Sequence, residues 1–146
     1  MAAESHAYGR AEKYFIRPRH LYALHFANGH VYVGQTVDLK QRERQHRSRQ
    51  GGWHGDFTLL HLETIQATQA QASDHEVAWR AIAHRAGHGV YAKPPGILIR
   101  RHGALLTPDS RRLIRGRRWP LKRARSWAWA WWLGVVLIGL VALISL

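Results

Sequence analysis

Residues 20–47 carry side chains that could bind anionic oxygens and move protons. Tyr22 and Tyr32 lie ten positions apart, a glycine follows the second tyrosine after one residue, and Arg42 and His46 are four positions apart. A guanidinium can contact phosphate oxygens through its planar fork, and a phenol can act as a base where positive charge lies nearby. The first part of the stretch alternates like a β-hairpin, yet much of what it presents is polar, aromatic or basic.

The hairpin that would position the two tyrosines runs over strands of roughly 20–26 and 30–35, joined through "ANG". A two-residue turn would send Tyr22 and Tyr32 to opposite faces of the sheet. A three-residue loop would place both rings on one face, with Gly29 in the left-handed conformation that this loop requires. We predict the three-residue loop.

A helix of about three turns is predicted after the hairpin. Thr36 or Asp38 can cap its start, and Gly51-Gly52 can end it. Arg42 and His46 share one face of this helix because side chains four residues apart lie one above the other. They can therefore reach a common site.

The later segments predict a third strand and a second helix. "FTLLHLETI", residues 57–65, is rich in apolar and β-branched residues. The helix, about 68–86, has helical apolar periodicity, and Glu76 projects from the edge of its apolar stripe. The sequence thus predicts an α+β domain in which helices flank a small three-stranded antiparallel sheet.

The joint spacing of these residues resembles the GIY-YIG nuclease family, and especially its small standalone members. The matching pattern reads Y-x9-Y-V-G-Q-T-x-D-L-x-x-R-x-x-x-H, followed by a glutamate on a later helix. In this chain the pattern is carried by Tyr22, Tyr32, Gly34, Gln35, Thr36, Asp38, Leu39, Arg42, His46 and Glu76. The resemblance covers about residues 19–95 and implies a GIY-YIG nuclease-like fold and endonuclease activity on DNA.

The resemblance also implies a role for each matching side chain. Glu76 would hold a single divalent cation, usually Mg²⁺, and one carboxylate with several waters is a normal magnesium site. Arg42 would contact the scissile phosphate, and Tyr22 would orient or deprotonate the attacking water. Tyr32 and His46 would donate hydrogen bonds or shuttle a proton. Near the site, Gly34 would let the backbone pass close by, and the neighbouring basic residues of the first helix would join Arg42 in binding DNA: Lys40, Arg44 and Arg47.

Two positions depart from the family pattern. His20 stands where the motif has its named glycine. The family often has an asparagine about 15 residues after the glutamate, an offset taken from the resemblance, whereas here the region reads "GVYAKPPG". Tyr91 or Lys93 could replace that asparagine, or activity could be reduced. A catalytically inactive, DNA-binding form of the same fold is therefore the alternative function.

Each of these residues also has an ordinary structural interpretation. The tyrosines could be strand aromatics that pack on the helices. Glu76 could complete a capping box with Ser73 or form an i,i+4 ion pair with Arg80. The basic helix face could simply be solvated. The joint spacing, rather than any single residue, favours the functional interpretation.

Charge is concentrated near the C-terminal end of the 146-residue chain, which has a net charge of +13 and no cysteine. Residues 100–125 hold ten Lys and Arg against the single acid Asp109. This run could contact anionic lipid or enlarge the DNA-binding surface. The absence of cysteine excludes disulfides, thiolate zinc sites and a cysteine nucleophile.

An uncharged segment, residues 127–146, follows the basic run and begins with four clustered tryptophans. A helix of this length spans about 30 Å, so it could cross a bilayer once, with the basic side facing the cytoplasm. The predicted organisation is a lead-in (1–18), a nuclease-like domain (19–104), a basic juxtamembrane connector (105–126) and a transmembrane helix (127–146). The expected partners are DNA and, through the tail, a lipid bilayer; no oligomeric state follows from the sequence.

Overall fold

A computed structural model describes residues 13–121 of the chain. They form an α+β fold with one five-stranded mixed sheet and three helices. The strands are β1 (Arg17–Phe26), β2 (Val31–Thr36), β3 (Phe57–Ala67), β4 (Val90–Lys93) and β5 (Ile97–Leu98). The helices are α1 (Leu39–Arg47), α2 (Gln69–Arg85) and α3 (Pro108–Leu113), with short 3-10 turns at Arg49–Gly51 and His102–Leu105.

The sheet order is β3-β1-β2-β4-β5. The strands predicted from the sequence, β1 to β3, pair antiparallel as expected. The prediction of a three-stranded antiparallel sheet is nevertheless wrong, because β4 adds parallel to β2 and β5 adds antiparallel to β4. These two strands have only four and two residues, too few for an alternating pattern to be recognised.

The three-residue hairpin loop is confirmed by the register of β1 and β2. Tyr22 pairs with Gly34 and Leu24 pairs with Tyr32, so Ala27, Asn28 and Gly29 form the loop. Gly29 has φ of 82°, in the left-handed region that glycine adopts without steric cost. Both tyrosine rings consequently project from the same face of the sheet.

Alternation along β1 divides the interior into two layers, one on each face of the sheet. On one face, Leu21 and Ala23 pack with Val33 against α2, which contributes Ala78, Trp79 and Ile82. On the other face, Tyr22, Leu24 and Phe26 pack with Phe57, beneath α1 and the loop that carries Trp53. The predicted site residues of the hairpin belong to the second layer.

Helix starts follow the local sequence chemistry. Asp38 caps α1, its side chain accepting a hydrogen bond from the Gln41 amide at 2.9 Å, which was one of the two predicted caps. At α2 the cap is Thr68, and its hydroxyl and the Gln71 side chain form a reciprocal capping box. The two helices that carry the site are thus fixed at their N-terminal ends.

Residues 105–121 of the predicted basic connector pack on the domain. Ile114 is buried against the α2 layer, and Leu113 and Trp119 pack beside it. Arg117 donates a hydrogen bond to Glu63 Oε2 on β3 at 3.0 Å. This part of the basic run is therefore anchored to the sheet.

Glu63 is held by further donors as well as by Arg117. His75 and Trp79 donate hydrogen bonds to its Oε1, each at 2.8 Å. Burial raises the pKa of the Glu63 carboxyl, but these hydrogen bonds and the Arg117 charge outweigh burial, so its pKa is lowered. The carboxylate is ionised at neutral pH and holds α2, β3 and the basic run together.

None of the helices in residues 13–121 has the length and apolar character needed to cross a membrane. The predicted transmembrane helix, residues 127–146, lies outside the residues that the structure describes.

Candidate active site

The candidate site lies beside β2, at the point where β4 no longer pairs with it. β4 pairs with β2 only at Val31 and Tyr32. From Val33 onward the same edge of β2 faces α2 instead, and Arg80 of α2 donates a hydrogen bond to the Val33 carbonyl at 3.3 Å. Arg80 also forms an i,i+4 ion pair with Glu76. The gap in the sheet thus brings the predicted metal ligand next to the tyrosine strand.

A groove of about 430 Å³ runs along this opening. Arg42 from α1 and Glu76 from α2 both line it, together with Lys13 and Arg19. Three cationic side chains against one carboxylate make the groove positive, which suits a phosphate-bearing ligand. The structure therefore brings together the arginine and the glutamate that lie on separate elements of the sequence.

Tyr22, Tyr32 and His46 form one cluster that lies near Arg42 but does not line the groove. The ring centroids of Tyr22 and Tyr32 are 6.4 Å apart, and His46 lies 5.6 and 5.7 Å from them respectively. Gly34 makes room for this packing: a Cβ at that position would lie 2.6 Å from the Tyr22 hydroxyl oxygen. Only a residue without a side chain fits there unless the phenol moves.

Hydrogen bonds define which nitrogen of His46 carries the proton. The indole of Trp53 can only donate, and its Nε1 lies 3.1 Å from His46 Nδ1. His46 Nδ1 must therefore be the acceptor, and the hydrogen of the neutral ring sits on Nε2. That Nε2 lies 2.7 Å from the Tyr22 hydroxyl oxygen and donates to it. Of the two predicted roles for His46, this geometry favours hydrogen-bond donation over accepting the Tyr22 proton.

The ionisation of His46 agrees with this arrangement. Burial, with the nearby positive charge of Arg42, lowers the pKa of His46 to about 4. The imidazole is accordingly neutral at physiological pH.

Both phenols are protonated at neutral pH. Burial raises the pKa of Tyr22 well above its usual value, and neighbouring Tyr32 adds to the effect, while Arg42 opposes it. Burial also raises the pKa of Tyr32, with Glu76 adding to it and Arg80 opposing it. In the free protein Tyr22 is thus a neutral hydrogen-bonding group. It could act as a base only with more positive charge beside it.

Glu76 is the groove's acidic group. Burial raises the pKa of its carboxyl, although Arg80 and Arg42 partly offset this effect. Its Oε1 accepts the hydrogen bond from Arg80, and Oε2 accepts none from the described residues. One carboxylate oxygen is therefore available to a cation, as a magnesium site with several waters requires.

The other predicted DNA-binding residues of α1 lie outside the groove lining. Lys40 and Arg44 are exposed on the helix surface. Arg47 is already engaged, since it forms an ion pair with Glu43 at 2.8 Å and lies over the Phe57 ring at 4.6 Å. Among these basic residues, Arg42 is the one placed to contact a phosphate in the groove.

The two residues considered as substitutes for the family asparagine do not line the groove either. The Tyr91 hydroxyl accepts a hydrogen bond from Asn28 at 2.8 Å, and its ring packs on Phe26 and Trp53. Lys93 is exposed. The structure offers no replacement for the asparagine at these two positions.

Three contributors to the site were missed or undervalued in the sequence. Arg80 was considered only as an ordinary partner for Glu76. Arg19, 7% exposed, donates to Gln35 Oε1 at 3.4 Å; its place in an alternating strand beside buried Leu21 was a usable signal. Trp53 follows Gly51-Gly52 in a segment without periodicity, so nothing in the pattern connected it to His46.

Comparisons of the chain with protein-family models, with curated protein sequences and with solved structures gave no match.

Proposed function

We propose that this chain is a GIY-YIG-type endonuclease that hydrolyses DNA phosphodiester bonds with the help of one divalent cation. The observation that carries the proposal is the convergence of Arg42 and Glu76 on one positive groove, near the hydrogen-bonded Tyr22–His46 pair. These side chains come from three separate elements.

Three side chains would have separate roles in hydrolysis. Arg42 would bind the scissile phosphate through its planar fork; its Nε is buried and has no hydrogen-bond partner among the described residues. His46 donates to the Tyr22 hydroxyl oxygen and so holds it in place. Tyr22 keeps a lone pair with which to accept a hydrogen bond from the attacking water and orient it towards phosphorus.

The cation would rest on Glu76. Within residues 13–121 no three His, Asp or Glu side chains cluster closely enough to hold a metal, so the remaining ligands would be waters and the substrate phosphate. Bound there, Mg²⁺ would supply Lewis-acid stabilisation of charge on the phosphoryl oxygens. Arg80 competes for the same carboxylate, and we expect phosphate binding to favour the cation by adding negative charge to the groove.

A catalytically inactive DNA-binding module is the second candidate. It is favoured by the Glu76–Arg80 ion pair, which occupies the predicted metal ligand, and by the lack of a groove-lining substitute for the family asparagine at Tyr91 or Lys93. A module of this kind would retain salt-sensitive DNA binding, because phosphate contacts dominate such affinity.

The proposal includes attachment of the enzyme to a membrane. It rests on the uncharged segment 127–146 and the basic residues before it, and it would place the groove on the cytoplasmic side. Fractionation of the full chain and of a variant lacking 127–146 tests this part separately: a full chain that stays in the soluble fraction removes the anchor.

Cleavage assays separate the two candidates. The full-length protein in mild detergent would be incubated with supercoiled plasmid and with branched oligonucleotides, in Mg²⁺ or in EDTA. We expect Mg²⁺-dependent cleavage that falls at least about 100-fold in Arg42→Ala and Glu76→Ala. The matched control is Glu43→Ala, which removes a half-buried glutamate of α1 that does not line the groove. Equal background cleavage by all four proteins would reject the enzyme, and retained salt-sensitive binding would then support the module.

A further inference from the structure

A second cavity lies on the tyrosine face of the sheet, separate from the groove. It has a volume of about 210 Å³ and is lined by Phe26, Asn28, Trp53, Asp56, Tyr91 and Pro95, among others. None of the side chains lining the groove lines this cavity. We refer to it as the aromatic cleft.

Aromatic rings dominate its wall. The Trp53 ring lies 5.0 Å from Phe26 and 5.7 Å from Tyr91, and Phe26 lies 5.3 Å from Tyr91, as measured between ring centroids. Trp53 and Tyr91 both keep part of their surface accessible, whereas Phe26 is buried beneath them. Rings presented in this way are stacking partners for a nucleobase of any sequence.

The acidic group of the cleft disfavours a phosphate. Asp56 is the carboxylate of its lining, and a negative charge disfavours an anionic ligand. A carboxylate instead accepts hydrogen bonds from amino groups such as cytosine N4. Asn28 is already committed, donating to Tyr91 and accepting from the His30 amide at 3.0 Å. The Tyr91 hydroxyl accepts that bond and keeps its own hydrogen to donate. The cleft therefore suits a neutral heterocycle that carries both donors and acceptors.

Trp53 connects the cleft to the proposed reaction site. The same indole lines the cleft and donates to His46, which in turn donates to Tyr22. A base in the cleft would thus sit two side-chain contacts away from the residue proposed to orient the water. A base can reach such a pocket only when it is unpaired, since paired bases are stacked within the duplex.

We infer that the aromatic cleft binds one unpaired nucleobase of a DNA strand whose backbone lies in the groove. The inference rests on the proposed DNA substrate and narrows it to DNA that is single-stranded within a few nucleotides of the scissile phosphate, because the groove and the cleft lie at opposite ends of the β1–β2 hairpin.

Binding measurements in EDTA test the cleft without requiring cleavage. The probes are a short fluorescent oligodeoxycytidylate and an abasic strand of equal length, which carries the same phosphates but no bases. The full-length protein is expected to bind the oligodeoxycytidylate at least about ten-fold more tightly. Tyr91→Ala should remove this difference while leaving the affinity for the abasic strand unchanged.

Asp56→Asn gives a milder test that does not disturb ring packing. It should reduce the preference for the oligodeoxycytidylate over the abasic strand about three-fold or more, because both probes feel the lost charge alike but only one carries bases. Asp109→Asn, which neutralises an exposed aspartate of α3, is the matched control and should change neither affinity. Tyr91→Phe, which keeps the ring, should retain the preference for bases.

The outcomes distinguish this inference from the proposed nuclease function. Three results would each reject base binding in the cleft: equal affinity for the two probes, a base preference that survives Tyr91→Ala, or no binding to either probe. Cleavage of DNA without a preference for bases would support the nuclease function and reject base binding in the cleft. A preference for bases that depends on Tyr91 and Asp56, without any cleavage, would support base binding in the cleft and reject the nuclease function.

Discussion

Trp53 Nε1 lies 3.1 Å from His46 Nδ1 and donates a hydrogen bond to it. This single contact directs the hydrogen of His46 to Nε2 and hence towards the Tyr22 hydroxyl. We predict that Trp53→Phe, which keeps a ring but loses the donor, lets His46 populate both neutral tautomers. Cleavage should fall about ten-fold because Tyr22 is less firmly held.

Nitrogen-15 NMR of the His46 ring reports the tautomer directly. The matched control is Trp119→Phe, since the Trp119 Nε1 is buried without a hydrogen-bond partner among the described residues. The control should leave the His46 signals unchanged. An Nε2-protonated His46 that persists in Trp53→Phe would contradict the role given to Trp53.

Gly34→Ala is expected to disable the site through one added methyl group. The new Cβ would lie 2.6 Å from the hydroxyl oxygen and 2.9 Å from Cζ of Tyr22, a side chain that is 1% exposed. Overpacking of this kind costs about 1–3 kcal/mol of unfolding free energy, and the displaced phenol should reduce cleavage. Urea denaturation and cleavage rates measure the two effects.

Gly103→Ala is the control for Gly34→Ala, because no atom lies within 4 Å of its added Cβ. It should leave both stability and cleavage close to those of the wild type. A Gly34→Ala protein with wild-type stability and activity would show that Tyr22 can move freely at no cost.

Acid should destabilise the fold partly through His46. Its pKa falls from an unfolded value of 6.5 to about 4 in the folded protein. Between these values the unfolded chain binds more protons, so the His46 contribution to stability is full above about pH 6.5 and is lost as the pH falls towards 4. His46→Gln should therefore show a shallower dependence of unfolding free energy on pH across this window.

Burial also lowers the pKa values of His25 and His102. Both residues are present in the two proteins, so the difference between the two curves reports the contribution of His46 alone. Thermal unfolding at a series of pH values provides the measurement. Parallel curves for wild type and His46→Gln would mean that His46 titrates normally in the folded protein.

The Glu63–Arg117 ion pair should stabilise the docking of the basic run. Its side chains are about a fifth exposed, and hydrogen bonds to charged groups of this kind contribute about 1–3 kcal/mol. Arg117→Ala should lower the unfolding free energy by an amount in this range. Arg112→Ala is the control: its contact with Asp109, at 3.6 Å, is largely exposed and should contribute under about 0.5 kcal/mol. Equal losses of unfolding free energy in the two variants, measured by urea denaturation, would argue against specific packing of the basic run on the domain.

Local signals in the sequence predicted the part of the fold that carries the tyrosines. The Ala27-Asn28-Gly29 loop and the alternation in β1 depend on neighbouring residues and appear as expected, and Asp38, one of the two predicted caps, starts α1. β4 and β5 could not be predicted, because strands this short are stabilised by their partners in the sheet rather than by their own pattern.

Contacts that no local sequence pattern reveals explain what was missed in the site and in the basic run. Trp53 meets His46, and Arg117 meets Glu63 across 54 positions of the chain. Neither contact has periodicity or a capping motif to reveal it. The basic run therefore looked like a uniform connector, although Arg117 and the apolar residues around it dock on the domain.

The rate of DNA cleavage by Tyr22→Phe tests the central claim most directly. The substitution removes one hydroxyl and keeps the buried ring, so stability should change by only about 1 kcal/mol. Tyr14→Phe, which removes a hydroxyl from a side chain that is 71% exposed, is the control and should cleave at the wild-type rate. The account predicts at least a 100-fold loss for Tyr22→Phe under single-turnover conditions in Mg²⁺, on the order expected for a group that acts on the attacking water. Cleavage by Tyr22→Phe at the same rate as Tyr14→Phe would contradict it.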